Sequence, residues 1–208
     1  MRLRFDENRA ILKLTCPART SRRSALAWAA SQRAWVEAQI ARAGAGEPFV
    51  PGATIPLEGQ DITLAWRHDA ARTPALHGGE LVCGGPLETF ARRIETFLKR
   101  RALERLSRDT AAIAAVAGVV PASVGIGDAA TRWGSCSSQR RIRYSWRLIL
   151  APPEARRFVV AHEVAHLLHL DHSSAFKAAE RRLFGGEVAP ARALLQRLGP
   201  RLRRVGRG

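Results

Sequence analysis

Four of the six histidines fall within eleven positions, in the stretch "AHEVAHLLHLDHSS" (161–174). His162, Glu163 and His166 form H-E-x-x-H inside an apolar run. On a helix a step of four residues puts both imidazoles on one face, a turn apart. Both then reach one Zn2+, and Glu163 stands beside the ion to activate its water. Two histidines do not complete a catalytic zinc site, which takes three protein ligands and leaves the fourth position to water. The third ligand is His169 or His172. On an unbroken helix, His162, His166 and His169 would be strung along about 10 Å of axis. That suits a tetrahedron with bonds near 2 Å poorly. His172 follows "LD", where the chain can leave the helix and return from another direction, so His172 is the expected ligand and His169 a residue of the rim.

These residues need elements to hold them. "APPEARRFVVAHEVAHLL" carries Pro in its first turn and runs on as a helix, and a second helix is expected from Ser174 to Phe184, ending at Gly185. Before them, Val124 to Leu150 reads as two strands joined by the turn "SSQRR". In the second strand, 141–149, Ile142, Tyr144, Trp146 and Leu148 point one way and Arg143, Ser145 and Arg147 the other. From Pro86 the apolar period is helical, through Leu87, Phe90, Ile94, Phe97 and Leu98 to Leu103 and Leu106. Residues 48–86, rich in Gly and Pro, read as strands joined by turns. Residues 2–16 alternate as a hairpin around "DEN", and one amphipathic helix is expected from a Ser21 cap to Gly44. The fold class is therefore α+β. A β-rich N-terminal region (1–85) with one helix precedes a catalytic region (86–208), the two forming one unit. The tail "RLGPRLRRVGRG" is expected to fray.

The chain has 208 residues, 46% of them hydrophobic and 25% charged, as a soluble globular domain requires. No apolar run approaches the roughly 20 residues of a membrane span. "MRLRFDENRA" has no secretory character, so the expected location is cytoplasmic. Cys16, Cys83 and Cys136 are odd in number and form no CxxC pair, which fits reduced thiols. Nothing in the sequence lowers the pKa of Cys136 as a catalytic thiol requires. The net charge of +16 attracts nucleic acid at long range, so nucleic acid is a candidate partner through a basic surface. The arginines are spread along the whole chain, however, and no binding module accompanies them.

Taken together, "RWGSCSSQRRIRYSWRLILAPPEARRFVVAHEVAHLLHLDHSSAF" (132–176) resembles the YgjP-like metallopeptidases, relatives of the SprT-type zinc proteases. W-G-S-C-S, R-L-x-L-x-P-P and H-E-x-x-H-x(5)-H-S-x-x-F stand in that family's order and spacing. "RAWVEAQI" and "PGATIPLEG" extend the likeness more weakly through the N-terminal half. The resemblance implies zinc ligands at His162, His166 and His172, the catalytic acid/base at Glu163, and a zincin-like core. In such a core a mixed sheet packs on helices, H-E-x-x-H lies on the active-site helix, and an edge strand borders the cleft. Where the family carries asparagine before W-R-L, this chain has Ser145. The H-x(5)-H spacing also occurs in metzincins, but those need a Met-turn and Met1 is the sole methionine.

The expected activity is zinc-dependent peptide hydrolysis, with Glu163 as general base and Tyr144 or Arg132 as a donor to the oxyanion. Strand 141–149 is the expected edge that pairs with an extended protein or peptide substrate. One alternative is a metal-dependent hydrolase of nucleotides. Against it, the chain has no glycine-rich phosphate loop and no carboxylate cluster suited to Mg2+. The other is a basic nucleic-acid-associated protein whose structural zinc is closed by His169 as a fourth ligand.

Overall fold

The computed structural model describes residues 1–6, 11–43, 45–129 and 131–208, and only the backbone of Asp6, Arg42 and Ala43. The expected hairpin forms from β1 (Arg2–Asp6) and β2 (Ile11–Thr15), antiparallel with Arg2 opposite Thr15 and Asp6 opposite Ile11. Residues 7–10 of its turn lie outside the described residues. Ser21 caps the next helix as expected, its Oγ accepting from the Ser24 N–H at 3.1 Å. That helix is two, α1 (Arg22–Ser31) and α2 (Arg33–Ala43). Ser31 Oγ donates to the Trp28 carbonyl at 2.7 Å, and Gln32 leaves helical geometry at φ −91°, ψ 16°. A hydroxyl that competes for backbone partners is enough to end a helix whose apolar side chains bury little. The expected stop at Gly44 lies outside the described residues.

Residues 48–86 form strands as expected: β3 (Thr54–Leu57), β4 (Gln60–Trp66), β5 (Ala75–His77) and β6 (Glu80–Cys83). Their order is β3-β4-β6-β5, with β4 and β6 parallel and the other pairs antiparallel. The β3–β4 turn docks on the catalytic half, where Glu58 N–H donates to the Ile149 carbonyl at 2.8 Å. Gly59, at φ +85°, lies so close to Pro152 that an added Cβ would sit 3.0 Å from its Cα. α3 (Phe90–Ala117) is the spine. Its 28 residues span about 42 Å, and Phe90, Ile94, Leu98, Ala102, Leu106 and Ile113 face the core. Leu87 and Leu103 are exposed, because the buried stripe advances in fours from Phe90 and passes through Ala102 instead.

Segment 124–150 holds three strands rather than two: β7 (Ser123–Gly127), β8 (Gly134–Cys136) and β9 (Arg141–Ser145). The sheet order is β7-β9-β8, with β7 parallel and β8 antiparallel to β9. β9 is therefore central, and β7 and β8, not 141–149, are the edges. β9 also stops at Ser145, whose Oγ accepts from the Arg147 N–H at 3.4 Å and starts a 3-10 turn, Trp146–Ile149. With the alternation broken there, Arg147 turns inward and is 4% exposed.

α4 (Pro153–Ala165) packs on α3, β8, α5 (Ser174–Phe184) and α6 (Ala189–Arg204). The three-stranded mixed sheet, packed on helices with H-E-x-x-H on α4, is the expected zincin-like core of an α+β fold. The tail is not frayed. Leu202 and Val205 are buried, and Val205 bridges to Glu47. Arg147 makes a two-point ion pair with Asp128 (2.8 and 3.2 Å) and donates to the carbonyls of Leu202 and Val205. No described helix is long and apolar enough to cross a membrane. Arg147→Met leaves those carbonyls unmet in the core. It should cost about 3 kcal/mol, lowering Tm by roughly 10 °C, whereas the exposed Arg143→Met should cost under about 0.5 kcal/mol. Calorimetry of the two variants decides between a docked and a loose tail.

Candidate active site

The site begins with where α4 stops. His166 is its C-cap, and the next amides tighten onto nearer carbonyls: Leu167 N–H to Val164 and Leu168 N–H to Ala165, both at 3.0 Å. The chain then turns through 169–172. Asp171 Oδ1 accepts from the Ser173 N–H at 3.2 Å, and Ser173 Oγ caps α5 by accepting from the Phe176 N–H at 3.4 Å. This reversal carries His172 back over the end of α4.

His162, His166 and His172 converge so that one nitrogen from each lies within 4.8 Å of the others. His162 Nε2 and His172 Nε2 are 3.4 Å apart. Nitrogens at two corners of a tetrahedron with bonds near 2 Å stand about 3.3 Å apart, so this pair fits a zinc-sized ion. The rings rest on one buried side chain, Phe176, with centroid separations of 5.1, 4.5 and 4.8 Å to His162, His166 and His172.

Two of the three rings are oriented from behind. His162 Nδ1 lies 2.7 Å from Glu180 Oε1, and His166 Nδ1 lies 3.1 Å from the His169 carbonyl. With Nδ1 donating to an oxygen, the Nε2 lone pair is left free for a metal, the usual tautomer of a ligating histidine. Burial also holds His166 below the ordinary imidazole range, aided by the charges of His162 and His172. His169 thus contributes its backbone, and its imidazole is not among the converging groups.

Glu163 is 4% exposed and faces β8. An added Cβ at Gly134 would lie 2.4 Å from Glu163 Oε1, so the edge strand comes this close only because residue 134 has no side chain. Burial pushes the Glu163 carboxyl up to about 7, while the exposed Arg132 guanidinium pulls the other way. The neighbouring Cys136 thiol is pushed up by burial and by the Glu163 charge, the reverse of what a thiolate nucleophile needs. Tyr144 is 1% exposed and its hydroxyl lies 3.0 Å from Thr110 Oγ1, so that hydroxyl is engaged in the core. A cavity of about 280 Å³ lies alongside Gly134, flanked by Arg132, Trp133 and Arg143. None of the converging histidines lines it.

Sequence reading missed Glu180 and Gly134. Glu180 is buried, holding His162 with one oxygen and lying 3.4 Å from Arg192 Nη2 with the other. A trace was present: Phe176, Ala179 and Leu183 are spaced as the apolar face of α5, and Glu180 lies on that face. Gly134 is the glycine of W-G-S-C-S, legible as special but not as Glu163's neighbour.

A model of the YgjP-like metallopeptidase domain matches residues 1–197. No curated protein matches the chain. Among solved structures, the crystal structure of the metallopeptidase zymogen of Pyrococcus abyssi abylysin is similar at 21% identity and a TM-score of 0.41. The match covers 48% of this chain and 97% of that one. With nearly its whole length matched, H-E-x-x-H on α4 and a third histidine returned to it by the following turn, the chain belongs to the YgjP-like metallopeptidase family.

Proposed function

We propose that the chain is a zinc-dependent peptidase in which His162, His166 and His172 hold the ion and Glu163 is the general base. The observation that carries this reading is the convergence of three imidazoles, two with Nδ1 already held by an oxygen. Three imidazole nitrogens within 4.8 Å of one another, one pair at 3.4 Å, suit zinc and leave a fourth position for solvent and substrate. Zinc bound there would polarise the scissile carbonyl and acidify water.

The remaining work falls to the chain. Glu163 would take a proton from the attacking water as the new C–O bond forms, then deliver it to the leaving nitrogen as the C–N bond breaks. Its burial keeps bulk water from competing for that proton. β8, the edge strand beside Glu163, offers its unpaired backbone groups to an extended peptide, a mode that recruits protein substrates with little sequence choice. Arg132 is the remaining candidate donor to the oxyanion, since Tyr144 is committed to Thr110. The net charge of +16 favours acidic substrates and partners, nucleic acid among them. A structural zinc is disfavoured, because the His169 imidazole stands outside the converging group.

Metal analysis by mass spectrometry tests the ligand set. Zinc should be near one per chain in wild type and His169→Ala and largely lost in His172→Ala; retention in His172→Ala would overturn the assignment. Glu163→Gln should keep its zinc and lose about 10²-fold or more in kcat/KM on an unfolded protein substrate. Full activity in that variant would remove Glu163 from the chemistry. Glu180→Ala, measured by chelator competition, should bind zinc about 10–100-fold more weakly, with most of the loss restored in Glu180→Gln, which keeps an acceptor for His162. Equal affinity in all three proteins would mean that Glu180 plays no part in orienting the ligand.

A further inference from the structure

At the other end of α4, away from the histidines, a cavity of about 170 Å³ lies between that helix and α3. It is lined by three guanidiniums, Arg105, Arg156 and Arg157, and one carboxylate, Asp109. Arg156 is the unusual member. It is 1% exposed, Nε donates to Asp109 Oδ2 at 2.9 Å, and Nη2 lies 3.6 Å from Glu58 Oε2. Its Nη1 is buried and has no hydrogen-bond partner among the described residues. Arg105 repeats the pattern: its Nε is 3.3 Å from Asp109 Oδ1 but is not aligned to donate to it, and it too is buried without a hydrogen-bond partner. A buried guanidinium N–H with nothing to meet it is costly, and the two arginines that carry these groups line the same cavity.

The other pairings do not relieve this. Glu58 is shared with Arg101, whose Nη2 donates to it at 2.9 Å. Arg157 spends Nε on the Phe184 carbonyl at 3.0 Å and Nη2 on the Leu183 carbonyl at 3.5 Å, at the C-terminal end of α5, so its part in the cavity is its charge. Glu154, the acidic residue of the first turn of α4, is exposed and does not line the cavity. The cavity also includes Pro153, the first residue of a 13-residue helix, so the positive end of the α4 dipole adds to the guanidiniums. An excess of positive charge, donors unmet among the described residues and a small volume together ask for a compact anion with several oxygens. We infer that the α3–α4 cavity is a binding site for phosphate or a terminal phosphoryl group, with Arg105 and Arg156 as its donors and Arg157 adding positive charge. This site stands apart from the metal chemistry and does not depend on it.

The experiment titrates inorganic phosphate into the zinc-replete full chain at fixed ionic strength, with chloride making up the balance, and follows Tm and the 31P line width. A saturable rise in Tm with phosphate is expected. Two variants assign it. Arg156→Met removes the central donor but also frees Asp109 and Glu58, so its folding is checked first. Ala112→Glu changes an exposed residue of α3 at the cavity and puts a competing carboxylate among the guanidiniums. Either should weaken apparent phosphate affinity by about tenfold or more, the worth of one charged hydrogen bond. Phenyl phosphate, used as a competitor, identifies the source: displacement shows that a phosphoryl group on a larger molecule is accepted, and its failure beside bound inorganic phosphate shows a site for the free ion. A wild type with no saturable response, or an undiminished response in Ala112→Glu, overturns the inference.

Discussion

Everything at the metal end of the molecule depends on α4 stopping at Ala165. One more regular turn would carry the chain onward along the axis and spread the imidazoles over a length that no single ion spans. Instead the last amides contract onto nearer carbonyls, the His169 carbonyl becomes available to His166, and the chain doubles back in time to present His172. The Ser173 cap then makes the reversal permanent by starting α5 at once. α5 in turn supplies the floor of the cluster, Phe176, and the carboxylate behind it, Glu180. A single helix terminus therefore sets the position of the third histidine and of the residues that orient the other two.

The site also reconciles two requirements that pull apart. Histidines must stay neutral with one nitrogen free, which favours burial. A carboxylate must sit next to them, which burial opposes. Glu180 tolerates its burial because a guanidinium and an imidazole N–H both face it. At Glu163 burial outweighs the pull of Arg132, and its proton affinity rises accordingly. Two glutamates 17 residues apart, both buried, thus meet different surroundings.

The legible parts of this protein are those where one physical period runs uninterrupted. H-E-x-x-H is readable because its spacing is that of a helical turn, and His172 because a tetrahedron excludes a straight line. The stripe of α3 was readable for the same reason, apart from Leu87 and Leu103 at its margins. β8 was not, since Gly, Ser and Cys have little strand preference and only pairing with β9 makes them a strand. Arg147 was read as outward-facing because alternation was carried past Ser145, where a hydroxyl cap changes the backbone geometry. Glu180 was missed because a glutamate on a helix usually faces water, and only the three-dimensional position of His162 gives it a reason to be inside. The tail looked disordered from its Gly, Pro and Arg content, since the guanidinium that satisfies its carbonyls lies 55 and 58 residues earlier in the chain.

That tail reaches further than its own packing. Arg203 donates to the Ala129 carbonyl at 3.2 Å and lies over the Trp133 ring at 4.3 Å, while Arg147 joins Asp128 to the carbonyls of Leu202 and Val205. The loop that leads into β8, and so one wall of the cleft, is moored to the last helix from both ends. Those moorings sit at 202–205, just past residue 197, where the match to the family ends. The rim beside Glu163 is thus anchored by a stretch outside the matched portion. Two chains with the same histidines and the same glutamate can then differ in how firmly that rim is held, according to how each one ends.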